Sequence, residues 1–353
     1  MRVLVTGGAG YVGSHTAKRL AAGGHEVVVF DDLSLGHADF VRWGPLVRGD
    51  LRDRATVAAT LRAERIEGVV HFAASTAVGA SVTDPGSYWR NNVESTLSLL
   101  EAMRDEGVRR LILSSSCAVY GVPAADVIDE AMPIQPISPY GTTKAAVEML
   151  ARDFATGHGM AVLALRCLNA AGADPDGEVG ERHEPELHLI PRAFMAVDGH
   201  LPALDIFGTD FDTPDGTAVR DYVHVADLAE AHVRALERLG QGHDAGSLPP
   251  ALNLGTGRGQ SVREVVAAAA RIAGRPVPHR LGPRRPGDPP RLVANPGLAA
   301  SSLGWRATAS DLETLLATAW AWHRAEVARG RFGDPRPAPA DAAAVPPVAG
   351  PPE

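Results

Sequence analysis

One stretch near the N-terminus constrains this chain more than any other feature. A short apolar run, Val3 to Thr6, ends in Gly7-Gly8-Ala9-Gly10-Tyr11-Val12-Gly13 and passes at once into a helical pattern that reaches Ala22. Gly7, Gly10 and Gly13 stand at a G-x-x-G-x-x-G spacing. Among 37 glycines such spacing is weak evidence alone. Its position carries the weight, because a strand that turns tightly into a helix leaves free N–H groups and a helix dipole pointing at one place. That place suits a pyrophosphate.

The rest of the first half repeats the same rhythm. Strand patterns at Glu26–Phe30, Leu46–Val47, Val69–Phe72, Leu111–Ser114 and Val162–Leu165 alternate with helical ones, clearest at Tyr88–Glu106 and Gly141–Ala155. Strands separated by helices of this length build βαβ units and a parallel sheet covered on both faces. The fold class expected is α/β: a doubly wound parallel (Rossmann) sheet with a smaller C-terminal α/β substrate lobe. After Asn169 the pattern loosens, then recurs as a strand at Asp221–Val225, a helix at Asp227–Leu239, a strand at Ala251–Leu254 and a capping box at Ser261/Glu264. These limits place the Rossmann domain at 1–168 with returning segments near 217–257, and the substrate lobe at 169–216 and 258–325. The Pro/Ala-rich segment 331–353 has almost no apolar bulk to offset its ordering entropy, and a disordered tail is expected there.

Asp31 ends the second strand pattern, about twenty residues past the glycines. A carboxylate there accepts hydrogen bonds from the adenosine ribose hydroxyls and repels a 2′-phosphate, so the cofactor expected is NAD rather than NADP.

A second constellation supplies chemistry. Tyr140-Gly141-Thr142-Thr143-Lys144 sets a phenol and an ammonium one helical turn apart on a common face. The pairing is specific because the chain has five tyrosines, and Lys18 and Lys144 are its only lysines among 34 basic residues. A phenol with a pKa near 10 is a poor base at neutral pH. A neighbouring ammonium and the positive charge of oxidised nicotinamide are expected to favour the phenolate. Ser114-Ser115-Ser116 closes a central strand pattern, where folds of this class bind ligands.

Charge and composition remove other classes. Basic residues number 34 and acidic 42, a balance of −8 that offers no general nucleic-acid or anionic-membrane surface. No apolar run approaches the ~20 residues of a membrane span. The only cysteines, Cys117 and Cys167, suit a reducing compartment, so a cytoplasmic enzyme is expected. Residues 183–188 read His-Glu-Pro-Glu-Leu-His. A zincin needs histidines four apart on an unbroken helix, whereas these are five apart around a proline, and no metal site is expected.

The motifs VLVTGGAGYVGSH (Val3–His15), VVHFAA (Val69–Ala74), NNV (Asn91–Val93), SSSCAVYG (Ser114–Gly121) and SPYGTTK (Ser138–Lys144) together resemble the extended short-chain dehydrogenase/reductase family. LNAAGADPDGEVGE (Leu168–Glu181), HLIPR (His188–Arg192), DGTAVRDYVHVADLA (Asp215–Ala229), NLGTG (Asn253–Gly257) and RRPGDPP (Arg284–Pro290) are most similar to its UDP-hexose 4-epimerase branch. The similarity covers residues 1 to about 325. It implies NAD-dependent inversion at carbon 4 of a UDP-hexose through a transient 4-keto sugar.

It makes Tyr140 the base, Lys144 its partner and Ser116 a second hydroxyl. Gly7, Gly10, Tyr11, Val12, Gly13, Asp31, Asp50, Leu51, Phe72, Ala73, Ala74 and Asn91, with Tyr140 and Lys144, would line the cofactor. Asn169, His188, Leu189, Phe207, Arg220, Arg285 and Asp288 would hold the UDP moiety, with Leu292 beside the hexose. A homodimer through the helices at Tyr88–Glu106 and Gly141–Ala155 is implied as well.

The chain departs from the pattern in places. Thr76 stands where some members have a lysine, and Cys167-Leu168 replaces an aromatic pair. Cys117 and Ala118 follow Ser116 where dehydratases and UDP-glucuronate decarboxylases of the family carry acidic residues, which counts against both chemistries. A 4-epimerase of a uronic acid, pentose or dTDP-sugar remains the alternative, and a non-catalytic NAD-binding regulator has no use for the Tyr140–Lys144 pair.

Overall fold

Val3 and Val5 face one side of a sheet while Leu4 faces the other, and all three are fully buried. Runs without polar alternation of this kind form the centre of a sheet covered on both faces. The structure, a computed structural model, describes residues 1–241, 248–285 and 288–332. The chain runs β1 (Arg2–Thr6), α1 (Tyr11–Ala22), β2 (Glu26–Asp31), β3 (Leu46–Arg48), α2 (Arg54–Ala63) and β4 (Gly68–His71). Short helices α3 (Val78–Thr83) and α4 (Pro85–Tyr88) lead through a π-helical segment, Trp89–Glu94, into α5 (Ser95–Asp105). Then come β5 (Arg110–Ser116), α6 (Pro139–His158), β6 (Ala161–Cys167), β7 (Asn169–Ala171), α7 (Leu189–Val197) and β8 (Leu204–Phe207). The remainder is β9 (Val219–Arg220), β10 (Tyr222–His224), α8 (Val225–Gly240), β11 (Ala251–Leu254), β12 (Gln260–Ser261), α9 (Val262–Ala273), β13 (His279–Gly282), β14 (Arg291–Leu292), α10 (Gly297–Leu303) and α11 (Leu312–Ala328).

Seven strands form one sheet in the order β11-β6-β5-β4-β1-β2-β3, every pair parallel. The doubly wound α/β class expected from the sequence is therefore observed. On one face Val3, Val5, Val70 and Ile112 pack with Leu20 of α1 and Leu228 and Leu236 of α8. On the other, Leu4, Val69, Leu111 and Leu113 pack with Leu61, Leu99, Met103 and Val147 of α2, α5 and α6. A third apolar cluster, including Ile190, Phe194, Ile206, Val265 and Leu316, joins α7, α9 and α11 with β8. Winding reverses between β1 and β4, which opens a crevice at their carboxyl ends, next to Gly7 and Phe72.

Two local expectations are revised. The single helix read at Tyr88–Glu106 is interrupted by the π-helical segment. There buried Asn92 turns inward, accepting from Ser75 N at 2.8 Å and donating to Ser75 O at 3.1 Å and Thr143 Oγ1 at 3.0 Å. The strand read at Asp221–Val225 is observed as β10, trimmed to Tyr222–His224, and fully buried Asp221 separates it from β9. Its carboxylate accepts from Thr256 N, Thr256 Oγ1, Gly257 N and Ala294 N, and a buried charge needs such satisfaction. From residue 333 onward the expected tail lies outside the described residues.

Candidate active site

The glycine turn is built by close backbone approach. Gly7 sits at φ 70°, and a Cβ there would lie 2.5 Å from Ala73 N; one on Gly13 would lie 2.2 Å from Gly7 O. Side chains at either position would fill the floor of the turn, so the glycines hold it open against Phe72–Ala74. At the end of β2 the Asp31 carboxylate accepts from Ala9 N at 3.0 Å and Leu33 N at 2.9 Å. Burial raises its pKa, against those backbone bonds. A tight glycine turn opening the N-terminus of α1 beside a held carboxylate fits a dinucleotide.

Other residues expected near the cofactor divide. The Tyr11 phenol is buried and donates to Gly172 O, tying the turn to the chain beyond β7, while Val12 packs on the core. Asn91 donates to Ser75 Oγ at 2.9 Å and steadies the loop after Ala74. Leu51 is buried beneath the sheet edge. The Asp50 carboxylate is engaged by Arg52, which holds its pKa below the ordinary range. Any contact it makes with adenine shares that carboxylate with the guanidinium.

The catalytic trio converges at the carboxyl end of β5. Ser138 caps α6 by accepting from Gly141 N at 3.1 Å, with Pro139 in the first turn. This presents buried Tyr140 and, one turn on, buried Lys144 toward Ser114 and Ser116. Lys144 Nζ donates to Ser114 O at 2.8 Å. The Ser116 hydroxyl accepts from Ala118 N at 3.1 Å and lies beside the phenol.

Burial acts on the Tyr140–Lys144 pair before any cofactor charge. It pushes Tyr140 up to about 12, against the Ser116 hydroxyl, which pulls it down. Burial also pulls Lys144 down to about 8. In the protein alone burial therefore favours the protonated phenol, and the Lys144 ammonium donates its hydrogen bond to Ser114 O.

The lysine has a measurable cost. Between pH 8 and its unfolded value of 10.5, the unfolded chain binds more protons than the folded one. Stability contributed by this group rises with pH across that window, and below it the burial cost is complete, about 3 kcal/mol. Lys144→Met, stripped of cofactor, is expected to denature at higher urea than the parent at pH 7, with the gap closing by about pH 10. Equal midpoints at both pH values would show that Lys144 is not held against its solvation.

Across the crevice a second group gathers residues far apart in sequence. Arg220 Nη2 reaches Asp288 Oδ1 at 2.5 Å, Arg285 Nη2 reaches Asp288 Oδ2 at 3.4 Å, and the Arg285 guanidinium lies 5.0 Å from the Phe207 ring centroid. Two guanidiniums beside a partly exposed aromatic face suit a diphosphate joined to a base. Leu292 pairs with Arg220 in register and packs, with Leu168, on the cluster holding Cys117 and Ala145. The hexose-side residues therefore meet next to Lys144. Asn169 donates to Asp221 O at 3.0 Å. Leu189 opens α7, half-buried on its core.

His188 stands apart from this group. It is exposed at the start of α7, and its Nδ1 pairs with Glu181, which leaves Nε2 as the ring nitrogen that faces a ligand. Three further residues escaped the sequence reading. Asn92 and Thr143 brace the cofactor loop against the turn of α6 that carries Lys144. His71, held by Thr6 Oγ1 at 2.7 Å and Thr96 Oγ1 at 3.0 Å, is driven down to about 3 by burial and by Lys144. The Asn-Asn doublet and the strand-end histidine of VVHFAA were the available signals.

Residues 3–255 match the NAD dependent epimerase/dehydratase family. The chain belongs to that family. It is 46% identical over 321 residues, 91% of its length and 96% of the relative's, to a UDP-glucose 4-epimerase of Rhizobium meliloti. The structure of UDP-glucose 4-epimerase from Brucella ovis in complex with NAD is 52% identical, with a TM-score of 0.88 over 91% of this chain and 97% of that one. The Bifidobacterium longum enzyme in complex with NAD+ and UDP is 36% identical, with a TM-score of 0.87 over 93% and 99%. As in those epimerase/dehydratase relatives, NAD is the cofactor of the fold. Among the described residues no helix is long and apolar enough to cross a membrane.

Proposed function

We propose that this protein is an NAD-dependent UDP-glucose 4-epimerase, interconverting UDP-galactose and UDP-glucose through a 4-keto sugar. The observation that carries the reading is Leu292, which is in register with Arg220 and packs with Leu168 on the cluster of Cys117 and Ala145, next in sequence to Ser116 and Lys144. Tyr140, Lys144 and Ser116 gather at the end of β5, and Arg220, Arg285, Phe207 and Asp288 form a second group of charges with an aromatic face. When bound, NAD+ gives carbon 4 a reversible oxidant.

The chain's own residues do the rest. Asp31 orients the adenosine end, and the glycine turn receives the diphosphate. Tyr140 takes the proton of the 4-hydroxyl and later returns it, with Ser116 hydrogen-bonding the same oxygen. Lys144, lowered only to about 8, keeps its positive charge near the phenol at neutral pH. Arg220 and Arg285 hold the diphosphate so that the sugar can turn about its linkage and present its other face. The segments 1–168 and 217–257 serve the cofactor and 169–216 and 258–325 the sugar nucleotide in this reading. Incubating the protein with UDP-galactose and looking for UDP-glucose tests it. Turnover confined to uronic acids, pentoses or dTDP-sugars would replace the substrate, and none in any of them would end the reading.

Substrate width follows from Leu292. Its side chain is intermediate in size and shares a cluster with Leu168. UDP-N-acetylglucosamine is therefore expected to turn over more slowly than UDP-glucose. Leu292→Tyr is expected to suppress the acetamido sugar selectively; equal loss on both would make Leu292 a packing residue only.

The dimer is part of the proposal. Trp89, Leu97 and Met149 are exposed apolar side chains on the π-helical segment, α5 and α6, within the two stretches named for the interface. Sedimentation at micromolar concentration is expected to give two chains per particle, and a monomer would remove this part. A cytoplasmic location agrees with Cys117 and Cys167 being free thiols.

A further inference from the structure

The histidine-rich loop that the sequence reading set aside folds into something a helix-based motif does not describe. Glu181, His183, Glu186 and His188 each turn one ligand-type atom inward, and the four atoms lie within 4.8 Å of one another. His183 Nδ1 is 3.5 Å from Glu181 Oε1 and 3.4 Å from Glu186 Oε2. His188 Nδ1 is 3.7 Å from Glu186 Oε1 and bonded directly to Glu181. We propose that these four side chains form a binding site for one divalent transition-metal ion of the zinc type, tetrahedral and built into the loop that leads to α7.

Geometry is the first support. Bonds of about 2.0–2.1 Å to nitrogen and oxygen in a tetrahedron put neighbouring ligand atoms about 3.3–3.4 Å apart. The two edges from His183 Nδ1, to Glu181 Oε1 at 3.5 Å and Glu186 Oε2 at 3.4 Å, have that length within 0.2 Å, while His188 Nδ1 stands 3.7 Å from the other Glu186 oxygen. The short His188–Glu181 contact is the edge that an ion must open.

The second support is an unsatisfied atom. His183 Nδ1 is buried without a hydrogen-bond partner, although it faces both carboxylates. Misaligned buried donors are costly, and an ion at the centre would satisfy this one. Among the described residues, neither carboxylate pairs with a lysine or arginine. The nearby trio Asp174, Asp176 and Glu178 differs, since Lys18 Nζ already fills it with contacts of 2.7–2.8 Å. Charge permits the ion as well. Two protonated imidazoles against two carboxylates sum to zero, and so do a dication, two neutral imidazoles and two carboxylates.

The position gives the ion a structural role. Glu181 O accepts from Trp322 Nε1 of α11 at 2.9 Å, and the His183 ring stands edge-on to Tyr11 of the cofactor turn, 6.4 Å between centroids. A metal here would lock the loop between that turn and α7. The proposal does not depend on the epimerase reading, because it concerns the loop and not the reaction.

The test uses the full-length protein, treated with chelator and titrated with zinc by calorimetry, with cobalt as a spectroscopic probe. One equivalent of zinc per chain is expected, together with the visible bands of tetrahedral cobalt and without thiolate charge-transfer bands from Cys117 or Cys167. His183→Ala and Glu186→Gln are each expected to weaken zinc binding about tenfold or more while NAD binding persists. Absence of stoichiometric binding, thiolate bands, or unchanged affinity in both variants overturns the site. If a variant does not fold, zinc-edge absorption on the loaded parent decides instead. Two imidazoles and two oxygens support the site, and sulfur or six-coordination overturns it.

Discussion

Tyr140→Phe is expected to lower turnover of UDP-galactose by ~10²–10⁴-fold, the usual cost of losing a general base. The substitution removes one oxygen from a side chain that is buried at the start of α6, so the helix and its Ser138 cap should be undisturbed. NAD binding should be close to that of the parent, because Asp31 and the glycine turn are untouched. Burial holds Tyr140 near 12 in the protein alone. Its activation must then come with the cofactor's charge, and a spectrophotometric titration should show the phenol ionising at lower pH when NAD+ is bound. Near-parental turnover in the phenylalanine variant would take Tyr140 out of the chemistry.

The largest effect on stability is expected one layer beneath the site. On β5 and β6, Ser115 and Arg166 are register partners. Arg166 is buried and gives three hydrogen bonds of 2.6–3.2 Å to the Glu148 carboxylate, which also accepts from Ser115 Oγ at 2.5 Å. Its remaining nitrogen reaches Tyr120 OH at 2.6 Å, and that hydroxyl donates to Asn253 Oδ1 at 2.8 Å. Glu148→Ala leaves a guanidinium buried with no countercharge and should cost about 3–5 kcal/mol. Replacing the pair together, Glu148→Leu with Arg166→Met, should cost much less, because both desolvated charges then disappear. Urea denaturation of the three variants separates these cases. A small effect of Glu148→Ala would mean that water reaches Arg166.

Glu148 also shows where sequence reading stops. Local signals carried far: Ala251–Leu254, the Ser261 capping box and the end of α1 at Ala22 all stand where the pattern put them. Tyr140 and Lys144 were legible because helical spacing alone places them on one face. The Arg166–Glu148–Tyr120–Asn253 chain was not, because its partners are 18 to 133 residues apart and no periodicity links them. The same holds for Asn92, whose inward turn depends on a π-helical segment that hydrophobic patterning reads as ordinary helix. His-Glu-Pro-Glu-Leu-His was weighed only as a helix, while the loop brings in Glu181 from outside the motif. For Lys144 and Tyr140 the spacing reports proximity, whereas burial, which shifts both groups in the protein alone, leaves no mark in it.

The account rests on oxidation and reduction at the same carbon of the same sugar. UDP-galactose carrying deuterium at carbon 4, incubated with the protein in ordinary water, tests this most directly. The account predicts UDP-glucose that retains the label at carbon 4, with no net change in the oxidation state of NAD. Loss of the label to solvent, or accumulation of reduced cofactor in step with product, would contradict it.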